Sequence, residues 1–251
     1  MKLVFDVETT GLPYRRGFAQ YFPPNQLDKY NKSRIVSIAW AKYTPDMKLI
    51  DKFYAVIKPT DFQIDDQSIA TRINGITREM ANKQGILITS IIPKLKEALI
   101  DVNTLIAHNF LFDINILQSE LYQNQNIQLV EQLNSIDHIC TMKESTPLLK
   151  IPFAGNKSFK SPKLIELFKA FYPNKEFEQH NALADVLACA KCYKGIIKIK
   201  ASLSTSEVKS SLTPSEANAS LSTEMNYIVR LNYKIFLIYI INEYRNTHIR
   251  R

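Results

Sequence analysis

The sequence has little of what secreted and membrane proteins require. Its three cysteines, Cys140, Cys189 and Cys192, do not form a disulfide framework, so we expect a reducing compartment. The most apolar late stretch, residues 235–241, is far shorter than the roughly 20 residues of a membrane span, and we expect no membrane partner. No secretory leader is recognisable at the start. These absences predict an intracellular protein of the cytoplasm or nucleus that is not secreted.

Negative charge is also in short supply. The 251 residues contain 32 Lys and Arg against 24 Asp and Glu, which gives a formal net charge of +8. A basic balance favours polyanionic partners, and nucleic acid is the first of these. The hydrophobic fraction of 45% is that of an ordinary globular protein. The length suits one large α/β domain with an appendage.

The first thirteen residues carry the main chemical signal. They predict a buried strand that ends in two acids, Asp6 and Glu8, followed by a sharp turn. Side chains alternate along a strand, so both carboxylates face the same side, while apolar residues on both faces indicate a central strand. Because a buried unpaired charge is costly, these acids require a compensating cation, for which a divalent metal is the natural candidate.

A long connection, residues 14–33, leaves the acidic end of this strand. It mixes aromatic residues with Arg and Lys, a composition that suits contact with a nucleic-acid strand through stacking and phosphate binding. The same residues would also suit a lid whose aromatic side chains pack on the edge of the domain. The sequence favours neither interpretation.

The remaining elements are predicted from periodicity, capping residues and turns. Strands are expected at residues 34–43, 49–58, 105–107 and 135–140, helices at 67–74, 89–101, 110–122, 162–171 and from 182 to about 200, and a loop at 146–161. Composition then divides the chain into an α/β domain (1–200), a Ser/Thr-rich linker (201–224) and a basic amphipathic segment (225–251).

Four carboxylates stand where predicted strands end or predicted helices begin: Asp6, Glu8, Asp113 and Asp185. A set of oxygen ligands suits Mg²⁺ or Mn²⁺, and several acids could hold two such ions about 4 Å apart, as in phosphoryl chemistry. His180, five residues before Asp185, could accept a proton from water near neutral pH. These residues predict metal-dependent hydrolysis of phosphodiesters.

Each of these residues, considered alone, could also have a role unrelated to catalysis. Asp113 and Asp185 could be surface charges in first helical turns, where the helix dipole favours acids. We interpret His108 as a structural hydrogen-bonding residue, and Cys189 and Cys192 as part of a packed helix face rather than a zinc site. Only the combination of acids and His180 supports catalysis.

Three strings carry a resemblance to a known family: FDVETTGLP, LIAHNFLFDINIL and HNALADVLACAKCY. In order and spacing they resemble the three motifs of the DEDDh (DnaQ-like) 3′–5′ exonucleases, over about residues 1–198. The resemblance implies an α/β RNase H-like fold, a five-stranded mixed sheet flanked by helices. By position, it implies a set of metal ligands, Asp6, Glu8, Asp113 and Asp185, with His180 as general base.

The resemblance also implies where the substrate binds and what it is. Thr9, Thr10, Gly11 and Leu12 would form the edge that holds the terminal nucleotide, and Asn109 would contact the scissile nucleotide. The implied activity is release of nucleoside 5′-monophosphates from single-stranded DNA or DNA 3′ ends in proofreading or repair, with a DNA polymerase as a conceivable partner. Two alternatives remain open: an RNA-trimming exoribonuclease, and a non-catalytic nucleic-acid or polymerase-binding module.

Overall fold

The structure is a computed structural model that describes residues 1–17, 20–153 and 158–209. The predicted segment 225–251 and residues 210–224 of the predicted linker lie outside the described residues. The strands are β1 (Lys2–Thr9), β2 (Arg15–Gly17), β3 (Gln20–Tyr21), β4 (Ile35–Tyr43), β5 (Leu49–Val56), β6 (Thr104–Ala107) and β7 (Asp137–Cys140).

The helices lie between the later strands of the sheet and after the last one. They are α1 (Ile69–Asn74), α2 (Arg78–Gln84), α3 (Ile88–Ala98), α4 (Phe110–Gln123), α5 (Ile127–Ser135), α6 (Thr141–Leu149), α7 (Leu164–Phe171) and α8 (Ala182–Lys209). A short 3-10 helix spans Leu27–Lys29. Among these described helices, none combines the length and the apolar character needed to cross a membrane.

Five strands form one mixed sheet in the order β5-β4-β1-β6-β7. β1 pairs antiparallel with β4 and parallel with β6, so it is the central strand. Leu3 and Val4 point to opposite faces, and they are 1% and 0% exposed, because both faces of β1 are covered. The predicted fold class, a five-stranded mixed sheet flanked by helices, is therefore confirmed.

The chain divides into two compact units. The first comprises Met1–Thr141 and Phe177–Ala190, and it contains the whole five-stranded sheet, α1 to α5 and the start of α8. The second comprises Met142–Glu176 and Lys191–Arg251. All the residues predicted to form the site belong to the first unit.

Several predicted boundaries require correction. The predicted loop 146–161 is wrong at its start, because α6 occupies Thr141–Leu149 with Pro147 inside its last turns. The predicted strand at 135–140 begins only at Asp137, since Ser135 is the last residue of α5, a helix that was not predicted. α8 is also longer than expected and continues to Lys209.

Cap geometry defines the ends of three helices. α1 ends at Gly75, whose φ of 72° lies in the left-handed region that glycine adopts without strain. The Thr77 hydroxyl accepts from the Met80 amide at the start of α2. The Asn181 side chain accepts from the Ala184 amide at 3.2 Å and so caps α8.

Candidate active site

The two acids of β1 lie at the end of the central strand. In the antiparallel register, Asp6 pairs with Ala39 and Glu8 pairs with Ser37 of β4. The register shifts between Glu8 and Thr9, and such an irregularity bends a strand and increases its twist. The strand therefore bends after Glu8 and ends at Thr9, from where the chain enters the turn that follows.

Asp113 reaches β1 from the neighbouring strand connection. β6 ends at Ala107, Asn109 adopts a left-handed conformation (φ 67°), and α4 begins at Phe110. This places Asp113 in the first turn of α4, where it is 2% exposed. One carboxylate oxygen of Asp113 accepts from the Val7 amide at 3.3 Å, so Asp113 lies against β1 between the two acids of that strand.

His180 and Asp185 are joined at the start of α8. The His180 amide donates to Oδ2 of Asp185 at 2.9 Å, and His180 has a φ of 64° in the left-handed region. Ligand atoms of Glu8, His180 and Asp185 all lie within 4.8 Å of one another. The structure therefore brings the predicted base and two predicted metal ligands to one point, with Asp6 and Asp113 beside them.

Crowding and burial raise the pKa of all four carboxylates. Burial, followed by repulsion from Asp6 and Asp185, raises the pKa of Glu8 to about 9. Burial raises the pKa of Asp185 to about 7, against a hydrogen bond from His180 that lowers it. The pKa of Asp6 is raised by burial and Asp185, and the pKa of Asp113 is raised by burial and Asp6.

These donors fit a divalent metal. Carboxylates packed this closely repel each other when ionised, and a bound divalent cation would offset the repulsion. Oxygen donors are those that Mg²⁺ and Mn²⁺ prefer. Asp6, Glu8, Asp113 and Asp185 would hold the metal, with the His180 ring at its side.

The raised pKa values predict how the stability of the metal-free protein depends on pH. An acid with a higher pKa in the folded state binds more protons when folded, so the free energy of unfolding falls as pH rises between the two values. For Asp185 this window runs from 3.8 to about 7, and for Glu8 from 4.5 to about 9. We expect the Tm in EDTA to decrease from pH 5 to pH 9, and excess Mg²⁺ to oppose that decrease most at the upper end.

Thermal melting in EDTA and in Mg²⁺ at several pH values measures this effect. Asp137→Asn is a suitable control, because Asp137 is an exposed acid at the start of β7, and its melting curve should follow the unmodified protein. A Tm in EDTA that rises or stays level across this window would contradict the crowded-carboxylate interpretation.

The turn after Glu8 is fixed by hydrogen bonds to residues 32–34. The Thr10 amide donates to the Arg34 carbonyl at 2.9 Å, and the Arg34 amide donates to the Thr10 hydroxyl at 2.9 Å. The Thr9 hydroxyl donates to the Gly11 carbonyl at 2.7 Å. A Cβ on Gly11 would lie 2.8 Å from the Lys32 carbonyl oxygen, so this close approach requires glycine.

The turn presents some of its residues and buries others. Leu12 is 65% exposed, as expected of an apolar group that meets a substrate, whereas Thr9 is 7% exposed. Their predicted roles in holding the terminal nucleotide, together with those of Thr10, Gly11 and Asn109, remain predictions. The Asn74 side chain donates to the Thr9 carbonyl at 3.2 Å and thereby joins the turn to α1.

A cavity of about 310 Å³ opens beside His180, within the range of small-ligand sites. Its lining includes Tyr54 of β5, Arg72 and Asn74 of α1, and Glu178. The sequence interpretation did not include these residues. One of them, Asn74, lies in the string INGIT (residues 73–77), which resembles the same family more weakly than the three motifs do.

The structure also shows the surroundings of His108 and the cysteines, which were interpreted as structural residues. The His108 ring nitrogen Nδ1 lies 3.0 Å from the Thr141 hydroxyl, as expected of a structural histidine. Cys189 and Cys192 are 2% and 0% exposed, and the three cysteines are thiols rather than disulfides. They pack inside the protein, as predicted.

A mixed five-stranded sheet with acids at the end of its central strand defines the RNase H-like fold class. Comparison with protein families then assigns the chain within that class. Residues 3–193 match the exonuclease family, so the chain belongs to that family. This match confirms the resemblance to DEDDh (DnaQ-like) enzymes that the three motifs carry.

Solved structures of exonuclease I share the fold. The Escherichia coli enzyme in complex with a dA16 oligonucleotide is 19% identical with a TM-score of 0.55, over 78% of this chain and 40% of that one. The Methylocaldum szegediense enzyme is 20% identical with a TM-score of 0.54, over 77% and 39%. A zinc-bound E. coli complex with single-stranded DNA is 18% identical with a TM-score of 0.53, over 77% and 39%.

The chain therefore spans about two fifths of the length of these solved relatives. No curated protein matches the sequence. At this level of identity the likeness is one of fold.

Proposed function

We propose that this protein is a divalent-metal-dependent 3′–5′ exonuclease that releases nucleoside 5′-monophosphates. One observation carries the proposal: ligand atoms of Glu8, Asp185 and His180 lie within 4.8 Å of one another at the end of the central strand. Asp113 lies against the same strand through its bond to the Val7 amide. Acids and a histidine in this arrangement suit hydrolysis of a phosphodiester bond.

The residues divide the reaction between them. Mg²⁺ or Mn²⁺, when bound, would lower the pKa of water and offset charge on the phosphate. The four carboxylates supply enough oxygen ligands for two ions. The exposed His180 ring accepts the proton of the attacking water. The water oxygen bonds to phosphorus, and the bond between phosphorus and the 3′ oxygen of the preceding nucleotide breaks. That oxygen takes a proton from solvent water and becomes the 3′ hydroxyl of the shortened strand.

The turn and the cavity suit the end of a strand. We propose that Leu12 packs on the bases, that Thr9, Thr10 and Gly11 form the edge near the 3′ terminus, and that Asn109 contacts the scissile nucleotide. The cavity lined by Tyr54, Arg72 and Asn74 would hold the departing nucleotide. A cavity of about 310 Å³ beside the acids has room for one terminal nucleotide, which suits removal of single nucleotides.

For the substrate we propose single-stranded DNA and DNA 3′ ends, in proofreading or repair. The net charge of +8 favours a polyanion, and the solved exonuclease I relatives include complexes with DNA oligonucleotides. An RNA-trimming exoribonuclease is the second candidate, since the acids act on a phosphodiester common to both nucleic acids.

A degradation assay tests the proposal. Oligonucleotides labelled at the 5′ end, as single-stranded DNA, mismatched duplex and RNA, are incubated with Mg²⁺ or Mn²⁺ and with EDTA. We expect a ladder that shortens from the 3′ end, nucleoside 5′-monophosphates as products, and no cleavage in EDTA. Faster loss of RNA than of DNA would favour the exoribonuclease, and binding without cleavage under all metals would favour a non-catalytic module.

A further inference from the structure

The segment that leaves the candidate site is folded and anchored in its described part. β2 and β3 pair antiparallel, with Arg15 opposite Tyr21. The Tyr14 amide donates to the Lys29 carbonyl at 2.9 Å, and the hydroxyl of Tyr30, a residue 1% exposed, donates to the Phe22 carbonyl at 2.5 Å. We refer to residues 14–17 and 20–22 as the basic hairpin. Its two described ends are therefore anchored by hydrogen bonds to residues 29 and 30.

Cations of this segment lie over its aromatic rings. The guanidinium carbons of Arg15 and Arg16 are 5.4 Å and 5.0 Å from the ring centroids of Tyr21 and Phe22. The Lys32 ammonium is 5.3 Å from the Tyr14 ring. Stacking of this kind orders the long side chains while their charge remains accessible to a partner.

The surface formed in this way is exposed and positive. Arg15, Arg16 and Lys32 are exposed, and Tyr14 is 47% exposed. Asp28 of the same segment is ion-paired with Lys29 at 2.6 Å. The remaining cations therefore face outward beside aromatic rings, a combination suited to a phosphate backbone with unstacked bases.

The basic hairpin lies directly beside the candidate metal ligands. The Tyr21 ring contacts the Phe112 ring at 6.4 Å between centroids, and Phe112 precedes Asp113 in α4. Burial raises the pKa of Tyr21, while the Arg15 charge and a hydrogen bond with the Asn109 side chain lower it. Tyr21 thus lies between the basic surface and the residue predicted to contact the scissile nucleotide.

We propose that the basic hairpin binds the single-stranded nucleic acid that leads into the active site, with Arg15 and Arg16 on phosphates and Tyr21 against a base next to Asn109. This inference rests on the proposed function, which supplies the reaction. What it adds is the path along which the substrate strand reaches the active site. Tyr21 is a substrate-binding residue of this path.

Two variants with a matched control test the assignment. Arg15→Gln/Arg16→Gln removes two positive charges from the basic hairpin, and Lys94→Gln/Lys96→Gln removes two from exposed positions on α3. Affinity for a fluorescent dT oligonucleotide in EDTA is measured by anisotropy at several salt concentrations. Loss of two phosphate contacts should reduce the slope of log affinity against log salt by about 1.4, and the α3 variant should keep the slope of the unmodified protein.

Tyr21 is tested by removing the ring or only its hydroxyl. Tyr21→Ala should weaken oligonucleotide binding roughly 5- to 150-fold, which corresponds to the loss of one stacked base. Tyr21→Phe retains the ring and should retain most of the affinity. If Tyr21→Phe weakens binding as much as Tyr21→Ala, the hydroxyl acts through Asn109, and stacking is excluded. Melting curves identify any variant that does not fold.

Measuring binding and cleavage separately distinguishes failure of the basic-hairpin proposal from failure of the proposed function. The ratio of kcat/KM for a single-stranded oligonucleotide to that for the p-nitrophenyl ester of thymidine 5′-monophosphate should fall in both hairpin variants, because the ester is too small to reach the hairpin. If the unmodified protein cleaves neither compound, the proposed function fails, while anisotropy still tests the hairpin. Unchanged oligonucleotide affinity in both hairpin variants would overturn the inference and leave an acidic protein as the partner of this surface.

Discussion

Asp6→Asn is expected to lower metal-dependent cleavage about 10³-fold or more, and at the same time to raise the Tm of the metal-free protein. Lewis-acid stabilisation by a bound metal supplies several kcal/mol, and each 1.36 kcal/mol is a factor of ten in rate. Asp6 lies where burial and the Asp185 carboxylate raise its pKa, so its ionised form is unfavourable without a cation. Each kcal/mol of repulsion relieved should raise the Tm by about 2–4 °C.

Metal-induced stabilisation provides a readout that is independent of activity. A metal at 100 times its Kd stabilises the folded state by about 2.7 kcal/mol, which corresponds to a Tm increase of roughly 5–10 °C. We expect this increase in the unmodified protein and in Asp137→Asn, and its loss in Asp6→Asn. If Asp6→Asn retained both cleavage and the Mg²⁺-dependent increase, Asp6 would not be a metal ligand.

His180→Ala separates the role of a base from that of a ligand. As a base, His180 contributes about 10²–10⁴-fold to kcat, and its removal leaves the carboxylates able to bind metal. The Mg²⁺-dependent increase in Tm should then persist in His180→Ala while cleavage is lost. Loss of that increase as well would show that the ring, which lies within 4.8 Å of the Glu8 and Asp185 ligand atoms, binds the metal directly.

The acids could be located from the sequence because each occupies a locally defined position. Asp6 and Glu8 share one face of a strand, and Asp113 and Asp185 occupy the first turns of α4 and α8. In a sheet with parallel β1 and β6, the ends of these strands and the helix that follows meet at one edge. Strand period, cap position and chain direction indicated where each acid lies, and the resemblance of the three motifs implied that the acids form one set of ligands.

The elements that were missed show where local patterns fail. α5 buries Leu129, Val130 and Leu133, but a nine-residue helix provides too few turns for a clear period. α6 begins directly after β7 and contains Thr, Ser and Pro147, all poor helix formers. The local preference for helix is therefore weak in both segments, and packing against the rest of the protein stabilises the helices.

Contacts between segments distant in the sequence could not be predicted from the sequence pattern either. Tyr21 meets Phe112 and Asn109, and the cavity beside His180 joins Tyr54 to Arg72. Periodicity specifies which side of an element is buried, but not which element covers it. The aromatic and basic composition of residues 14–33 was visible, whereas its position over α4 required the structure.

A buried ion pair joins Arg34, which lies beside the turn after Glu8, to α4, and breaking it should lower the stability strongly. Arg34 and Glu120 are 5% and 4% exposed, and Nε of Arg34 donates to Oε1 of Glu120 at 2.6 Å. Arg34→Met would leave the Glu120 carboxylate buried without its cation, at a cost of about 3–5 kcal/mol. We expect the Tm to fall by roughly 6–20 °C.

Two further variants distinguish charge burial from simple loss of packing. Asp61 also accepts from Arg34, at 2.9 Å, but its side chain is 47% exposed, so Asp61→Asn should cost no more than about 1 kcal/mol. Arg34→Met/Glu120→Gln removes both charges and keeps a side-chain oxygen for the Ile35 amide, which donates to Glu120 at 3.2 Å. The double variant should recover most of the stability, and a double variant as unstable as Arg34→Met would contradict the unpaired charge as the cause.

The double variant also reveals what the ion pair does for the site. Arg34 binds Thr10 only through its backbone amide and carbonyl, contacts that Met at this position retains. The side chain instead reaches Glu120 in α4, the helix that carries Asp113. If the stable double variant cleaves normally, backbone contacts alone position the turn after Glu8. If it folds but loses kcat without a change in KM, the ion pair sets the position of Asp113 against β1, and thus the spacing of the metal ligands.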